Sequence, residues 1–244
     1  MFSPVVEVSH ISKEFGPVKA VNDVSFSLMP GEIVGILGPN GAGKTTILHL
    51  LLGLTAPTSG IIKIFGLDLK QHRSRILARV NFSSSYVALP YSLTVRESLQ
   101  VFAWLYGIKD RNKKISEVLA LFEVEDLASR PVRTLSSGQI TRLNLAKALI
   151  NDPLVLFLDE PTASLDPDIA DKTRALLKRI KQEKRISILY TSHNMREMEQ
   201  ISDRILFLHQ GRIIATGTPD EIITKFRGED LEEVFLKIAR DKTG

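Results

Sequence analysis

Ile33-Val34-Gly35-Ile36-Leu37 runs directly into Gly38-Pro39-Asn40-Gly41-Ala42-Gly43-Lys44-Thr45, and Thr46-Ile47-Leu48 follows. Five consecutive apolar residues read as a buried strand, the glycine-rich segment as a loop, and residues 44–54 as a helix. The loop fits the pattern GxxxxGK[ST] in the strand–loop–helix setting that the pattern requires. Its chemistry is phosphate binding. Glycines let successive backbone N–H groups turn toward an anion without a Cβ clash, and the helix that follows adds its positive end. Lys44 is expected to reach the β- and γ-phosphates and Thr45 to offer its hydroxyl to Mg²⁺. Thr46, one residue into the helix, is placed for the α-phosphate. Gly38, Pro39, Asn40, Gly41, Ala42 and Gly43 form the cradle.

A second acidic cluster lies more than a hundred residues downstream. Leu154-Val155-Leu156-Phe157-Leu158 is an unbroken apolar run that ends in Asp159-Glu160. A buried carboxylate costs several kcal/mol unless something pairs with it, and Mg²⁺ supplies that pairing for Asp159. Glu160 points elsewhere and suits a general base for a water aligned with the γ-phosphate. The next apolar strand, 187–191, leads to His193. Neighbouring parallel strands end on one edge, so His193 is expected near the phosphates. His10, His49, His72 and His209 lack such a setting, and no His/Asp spacing resembles a zinc site.

Outward from these motifs, strands are expected at 5–11, 21–28 and 60–65, and a strand-rich opening surrounds the first helix. Apolar residues then recur at helical spacing in Val95, Leu99, Phe102 and Leu105, and again in Ile115, Val118, Leu119 and Phe122. This predicts a helical lobe within 93–130. Further helices are expected at 143–149, 169–180 and 195–201, and strands at 205–208 and 212–215 flank a turn. The tail, 219–240, carries two weak helical patterns. The alternation of strand and helix predicts an α/β fold, a P-loop NTPase core with a mostly parallel sheet. No internal repeat is visible, so one nucleotide module is expected.

The 244 residues suffice for one substantial core or two unequal lobes. Lys and Arg number 32 against 28 Asp and Glu, a net charge of +4 whose charges are interleaved, unlike the basic stripe of a nucleic-acid binder. The chain has no cysteine, which excludes disulfides and thiolate metal sites. Residues 1–8 lack a basic start and a long apolar run, so no secretory leader is expected. No apolar segment reaches the length of a membrane span.

Leu135-Ser136-Ser137-Gly138-Gln139, with Arg142 beyond it, is close to the signature LSGGQ. Together with the P-loop, Asp159-Glu160-Pro161-Thr162, Ser164-Leu165-Asp166 and His193, in that order, the chain resembles the nucleotide-binding domain of ABC transporters over about 5–222. The resemblance implies an ATP-binding core (1–92 and 143–222) with an antiparallel β-subdomain. It also implies an inserted helical subdomain (93–142) and a short C-terminal tail (223–244). It implies Mg-dependent ATP hydrolysis at a head-to-tail dimer, a homodimer of this chain, in which Ser136, Ser137, Gly138 and Gln139 of one copy cap ATP on the other. Phe15 takes the place of the aromatic that stacks on adenine, and Val21 the place of a residue near the base or ribose. Residues 217–222 resemble the end of many such domains, and 231–236 resemble a short tail common among ABC-2-type exporters, so export is expected. The implied partner is an integral membrane permease, met by Phe102, Trp104 and Tyr106, with this chain peripheral on the cytoplasmic face. Soluble relatives that act in assembly or on nucleic acid or ribosomes remain the alternative.

Two departures stand out. The glutamine that the family places nine residues before the threonine of Leu93-Thr94-Val95-Arg96-Glu97 is Ser85 here, whose shorter side chain is expected to reach the metal only through water or not at all. Asn81 is the candidate to compensate. Ser137 replaces the first signature glycine, and serine resists positive φ.

Overall fold

The computed structural model describes residues 3–84 and 89–240, without the side chains of 238–240. A hairpin opens the chain, β1 (Val6–Phe15) and β2 (Val18–Leu28). β3 (Ile33–Leu37) leads through the glycine loop into α1 (Lys44–Leu51). Then come β4 (Ser59–Ile64), β5 (Leu67–Asp68), α2 (Leu69–Leu77) and β6 (Val80–Ser84). The inserted helices are α3 (Val95–Leu105) and α4 (Arg111–Leu121), followed by α5 (Ser137–Ala148). The chain returns through β7 (Val155–Asp159), α6 (Pro167–Lys184), β8 (Ser187–Ser192), α7 (Met195–Ile201), β9 (Arg204–His209) and β10 (Arg212–Gly217). It ends in α8 (Pro219–Phe226) and α9 (Leu231–Arg240).

Two sheets form. The strands β2-β1-β4-β5 make an antiparallel sheet, and β10-β9-β3-β8-β7-β6 make a second, in which only the β9–β10 pair is antiparallel. The sequence pattern explains the larger sheet. Side chains alternate across a strand, so an unbroken apolar run fits only where both faces are covered. Ile33 and Leu37 join the core beneath the helical lobe, while Val34 and Ile36 join the core shared with the small sheet and α1. Leu156 and Leu158 divide from Val155 and Phe157 in the same way, as do Ile205 and Phe207 from Leu206 and Leu208. Each such side chain, fully buried, contributes about 1.5–3 kcal/mol.

Helix starts are set by caps. Thr94 accepts from the Glu97 amide while the Glu97 side chain accepts from the Thr94 amide, a reciprocal cap on α3 worth about 1 kcal/mol. Ser136 and Gln139 do the same for α5, which therefore begins at Ser137, six residues before the start expected from apolar spacing alone. It runs unbroken through 142 and 143, the expected lobe boundary. α1 stops at Leu51, short of 54, because the chain turns at Gly53 with φ of +63°. α2, absent from the pattern reading, is started by Asp68, whose side chain accepts from the Gln71 amide. In the lobe, Ile115, Val118, Leu119 and Phe122 are buried as expected, but Leu105 is 75% exposed.

Lys147 is the unusual core residue. It sits on the buried face of α5, donates from Nζ to the Phe82 carbonyl at 3.1 Å and lies over the Phe102 ring. Burial pulls its pKa down from 10.5 to about 8. Between those values the unfolded chain holds a proton that the folded chain has released, so stability rises with pH across that window. Unfolding in urea should show the wild type gaining up to about 3 kcal/mol relative to Lys147→Met between about pH 7 and pH 10. A pH-independent difference between the two would show that the burial penalty is absent.

Candidate active site

Three strands deliver the chemistry to one edge. β8 lies between β3 and β7, parallel to both, with Leu37 opposite Ser192 and Asp159 opposite Thr191. The glycine loop, His193 and Asp159-Glu160 therefore leave the sheet side by side, as the strand order predicted.

The loop at 38–43 is built around two close backbone approaches. A Cβ on Gly38 would lie 2.2 Å from the Leu208 carbonyl oxygen, and one on Gly43 would lie 2.5 Å from that of Ala20. Gly43 also holds φ at +108°, which side-chain-bearing residues rarely adopt. No side chain caps α1 and no acid stands in its first turn, so its positive end is presented to an anion. Lys44 is buried and donates from Nζ to the carbonyls of Gly38 (2.7 Å) and Pro39 (3.1 Å). Burial lowers its pKa, and the charges of Glu160 and Asp159 pull the other way. A cation held against its own loop by neutral carbonyls is ready to exchange them for phosphate oxygens. Thr45 is exposed and Thr46 half-buried.

Asp159 is buried, and its Oδ1 accepts the Thr191 hydroxyl at 2.6 Å. Its Oδ2 lies 3.4 Å from Thr45 Oγ1. One carboxylate oxygen and one hydroxyl converging beside a phosphate cradle fit Mg²⁺, which takes few protein ligands and completes its shell with phosphate and water. No cluster of three or more His, Cys, Asp or Glu suited to a metal occurs among the described residues. Ser85, expected near the metal, lies outside the described residues. Asn81 does not take its place. Its amide donates to Asn151 and the Lys147 carbonyl, and it pairs with Leu156, three residues back from the site edge.

Glu160 holds φ at +48°, a left-handed conformation that costs a non-glycine residue roughly 1–2 kcal/mol. Thr191 fixes it there: the Glu160 amide donates to the Thr191 carbonyl and hydroxyl. The turn aims the carboxylate at His193, with Oε1 and Nδ1 2.9 Å apart. Glu160 is half-buried and His193 exposed. Thr191 escaped the sequence reading. Its only signal was a hydroxyl at the end of an apolar strand.

Phe15 is 52% exposed at the tip of the β1–β2 hairpin. Its strand partner is Val18, 61% exposed, which the sequence reading passed over. Val21, named for the base or ribose, is instead fully buried in the core, because it falls on the inward face of β2. Phe15 and Val18 make an exposed apolar pair. At the signature, Ser136 and Ser137 are exposed. Ser137 is the first helical residue and has no positive φ, so serine there carries no strain. A Cβ on Gly138 would meet Leu165 at 3.6 Å, an ordinary contact. Arg142 reaches back to the carbonyls of Phe122 and Glu123.

The ABC transporter family model matches residues 21–163, more than half of the chain. The chain belongs to the ABC transporter family. It is 39% identical over 239 residues to Nod factor export ATP-binding protein I of Ralstonia nicotianae, covering 96% of this chain and 73% of that protein. It is 35% identical to the probable multidrug ABC transporter ATP-binding protein YbhF of Escherichia coli, covering 97% of this chain but 42% of that protein. Among solved structures, an ATP-binding subunit of an ABC transporter superposes with a TM-score of 0.86 at 29% identity, covering 96% of this chain and 99% of that one. A dimeric post-hydrolysis state of an ATP-binding cassette with ADP and Pi superposes at 0.78 and 26% identity, covering 87% and 98%. This ABC subunit is an ATPase that couples hydrolysis to transport through a separate permease.

Gly43→Ala tests the cradle. Positive φ and the Ala20 carbonyl together should lower affinity for a fluorescent ATP analogue by about tenfold or more and reduce the melting temperature. Unchanged affinity would mean that the loop amides do not hold phosphate.

Proposed function

We propose that two copies of this chain pair head to tail and that each ATP is closed between the 38–46 loop of one copy and the 136–139 turn of the other. The observation that carries this reading is the second exposed helix N-terminus. Ser136 and Gln139 cap one another at the start of α5, and the Ser136 hydroxyl accepts there while keeping its proton to donate. Two phosphate-binding arrangements in one module, a loop and a serine–glycine turn, suit one triphosphate shared between copies.

Within the closed site, Lys44 exchanges the Gly38 and Pro39 carbonyls for β- and γ-phosphate oxygens. Phe15 and Val18 stack against the base. Thr45 and Asp159 hold Mg²⁺, which when bound neutralises phosphate charge and polarises the terminal phosphoryl group. Glu160 orients a water in line with the γ-phosphorus and takes its proton as the new P–O bond forms and the bond to the β-bridging oxygen breaks, releasing ADP. His193 holds Glu160 through Nδ1 and leaves its other nitrogen to face the γ-phosphate.

The load is an integral membrane permease, with this chain peripheral on the cytoplasmic face. No helix among the described residues is long and apolar enough to cross a membrane. Trp104 (72% exposed), Leu105 (75%) and Val101 (45%) stand together on α3, an apolar patch suited to a partner helix. Phe102 and Tyr106 pack instead against the lobe core. Export is the direction supported by the named relatives.

Glu160→Gln should bind ATP normally, lose turnover by about 100-fold or more and elute as a dimer with ATP in size-exclusion chromatography. Turnover within about threefold of wild type would overturn the assignment of the base. Lys44→Ala should lose ATP binding or turnover, and a kinetically normal variant would overturn the role of the loop.

A further inference from the structure

Behind the site, α7 carries a carboxylate that the mechanism above does not use. Glu197 is 5% exposed, a placement that is destabilising unless donors surround it. They do, and they come from three separate segments. Its Oε1 accepts from the Thr162 hydroxyl, from the Tyr190 hydroxyl at 2.6 Å and from Arg174 Nη1 at 3.4 Å. Its Oε2 accepts from the Ser192 hydroxyl at 2.6 Å. Tyr190 is held firmly as a protonated donor, its pKa raised well above 10.0 by burial and then by the neighbouring Glu197 charge.

The donors' sequence positions give the carboxylate its significance. Thr162 follows Glu160 by two residues, with Pro161 stiffening the link, and Ser192 immediately precedes His193. Ser192 Oγ also accepts from the Asn194 amide at 3.0 Å, so both flanks of His193 are anchored through one hydroxyl. Asn194 in turn caps α7 by accepting from the Glu197 amide at 3.1 Å. Arg174 extends the tie to α6, the helix that follows the 162–166 loop, and is itself anchored to Asp171. The Glu160–His193 contact of 2.9 Å spans two loops on different strands. Thr191 holds the Glu160 amide on the near side of the pair, and the Glu197 network joins the residues that flank it, Thr162 and Ser192. A half-open pocket of about 400 Å³ borders both the catalytic pair and this network, lined by Glu160, His193, Thr162, Arg174, Ser192 and Glu197 among others.

We propose that Glu197 is a positioning residue for hydrolysis, joining the loop after Glu160 to the loop carrying His193 and so setting the geometry of that pair. The proposal rests on Glu160 and His193 acting as described above. Glu197 touches no substrate atom. Its effect is on the alignment of two groups that do, and small displacements of such groups cost rate more than binding.

Glu197→Gln keeps the shape but puts an NH₂ where one acceptor oxygen stood, so at least one of its donors loses its partner. Steady-state ATPase assays should show kcat down about 10- to 100-fold with KM and equilibrium ATP binding within about threefold of wild type. Ser192→Ala and Thr162→Val each cut one arm. They should lower kcat by smaller factors and add little on the Glu197→Gln background, because all three act through one network. Ser192→Ala also carries the test if Glu197→Gln fails to fold. With Glu160→Gln inactive in parallel, wild-type kcat in all three variants would overturn the positioning role alone. So would a joint fall of kcat, ATP binding and melting temperature, which would mark a purely structural network. Normal turnover in Glu160→Gln would instead remove the base on which the proposal stands.

Discussion

Three parallel strands in fixed register hold the phosphate loop, both acids and His193. β8 lies between β3 and β7, and hydrogen bonding there sets Leu37 against Ser192 and Thr191 against Asp159. A slip of one residue would send each side chain to the opposite face and separate the loop from the acids. The register is protected by burial on both faces, since each strand sends alternate residues into two different cores. Thr191 turns that register into chemistry. Its hydroxyl donates to Asp159 and accepts from the Glu160 amide, so one side chain seats both acids.

Much of this was legible in the sequence because short-range physics dictated it. The glycine loop, the apolar runs at 33–37 and 154–158 and the acids that end the second run each announce a local geometry. What the sequence left unread depends on distant parts of the chain. Val21 and Val18 look alike on a strand, and only the cover over one face decides which is core and which is exposed. Asn81 looked free to serve the metal, but the pairing of β6 with β7 places it three residues inside the sheet and beside Asn151. Nothing in the sequence singles out Glu197, and its burial against Thr162, Tyr190 and Ser192 emerges only once 160–162, 190–192 and 197 are brought together.

Membership in the ABC transporter family explains why one chain carries both a phosphate loop and a separate serine–glycine turn. The loop opens α1 and the turn opens α5. The α5 turn lies against the loop that follows Glu160, where Gly138 neighbours Leu165 and Ser164. The Leu165 amide donates in turn to the Thr162 carbonyl, so the turn and the loop that carries Thr162 are neighbours.

The shared site is the central claim, and the absence of cysteine from the chain gives a clean way to test it. A chain bearing both Asn40→Cys and Ser137→Cys, two exposed positions, would be treated with a short bifunctional thiol cross-linker in the presence of Mg²⁺ and a slowly hydrolysed ATP analogue. Head-to-tail closure predicts covalent dimers that form with the analogue and not with ADP or without nucleotide. Nucleotide binding that stays intact while the products remain monomeric under every condition would contradict it.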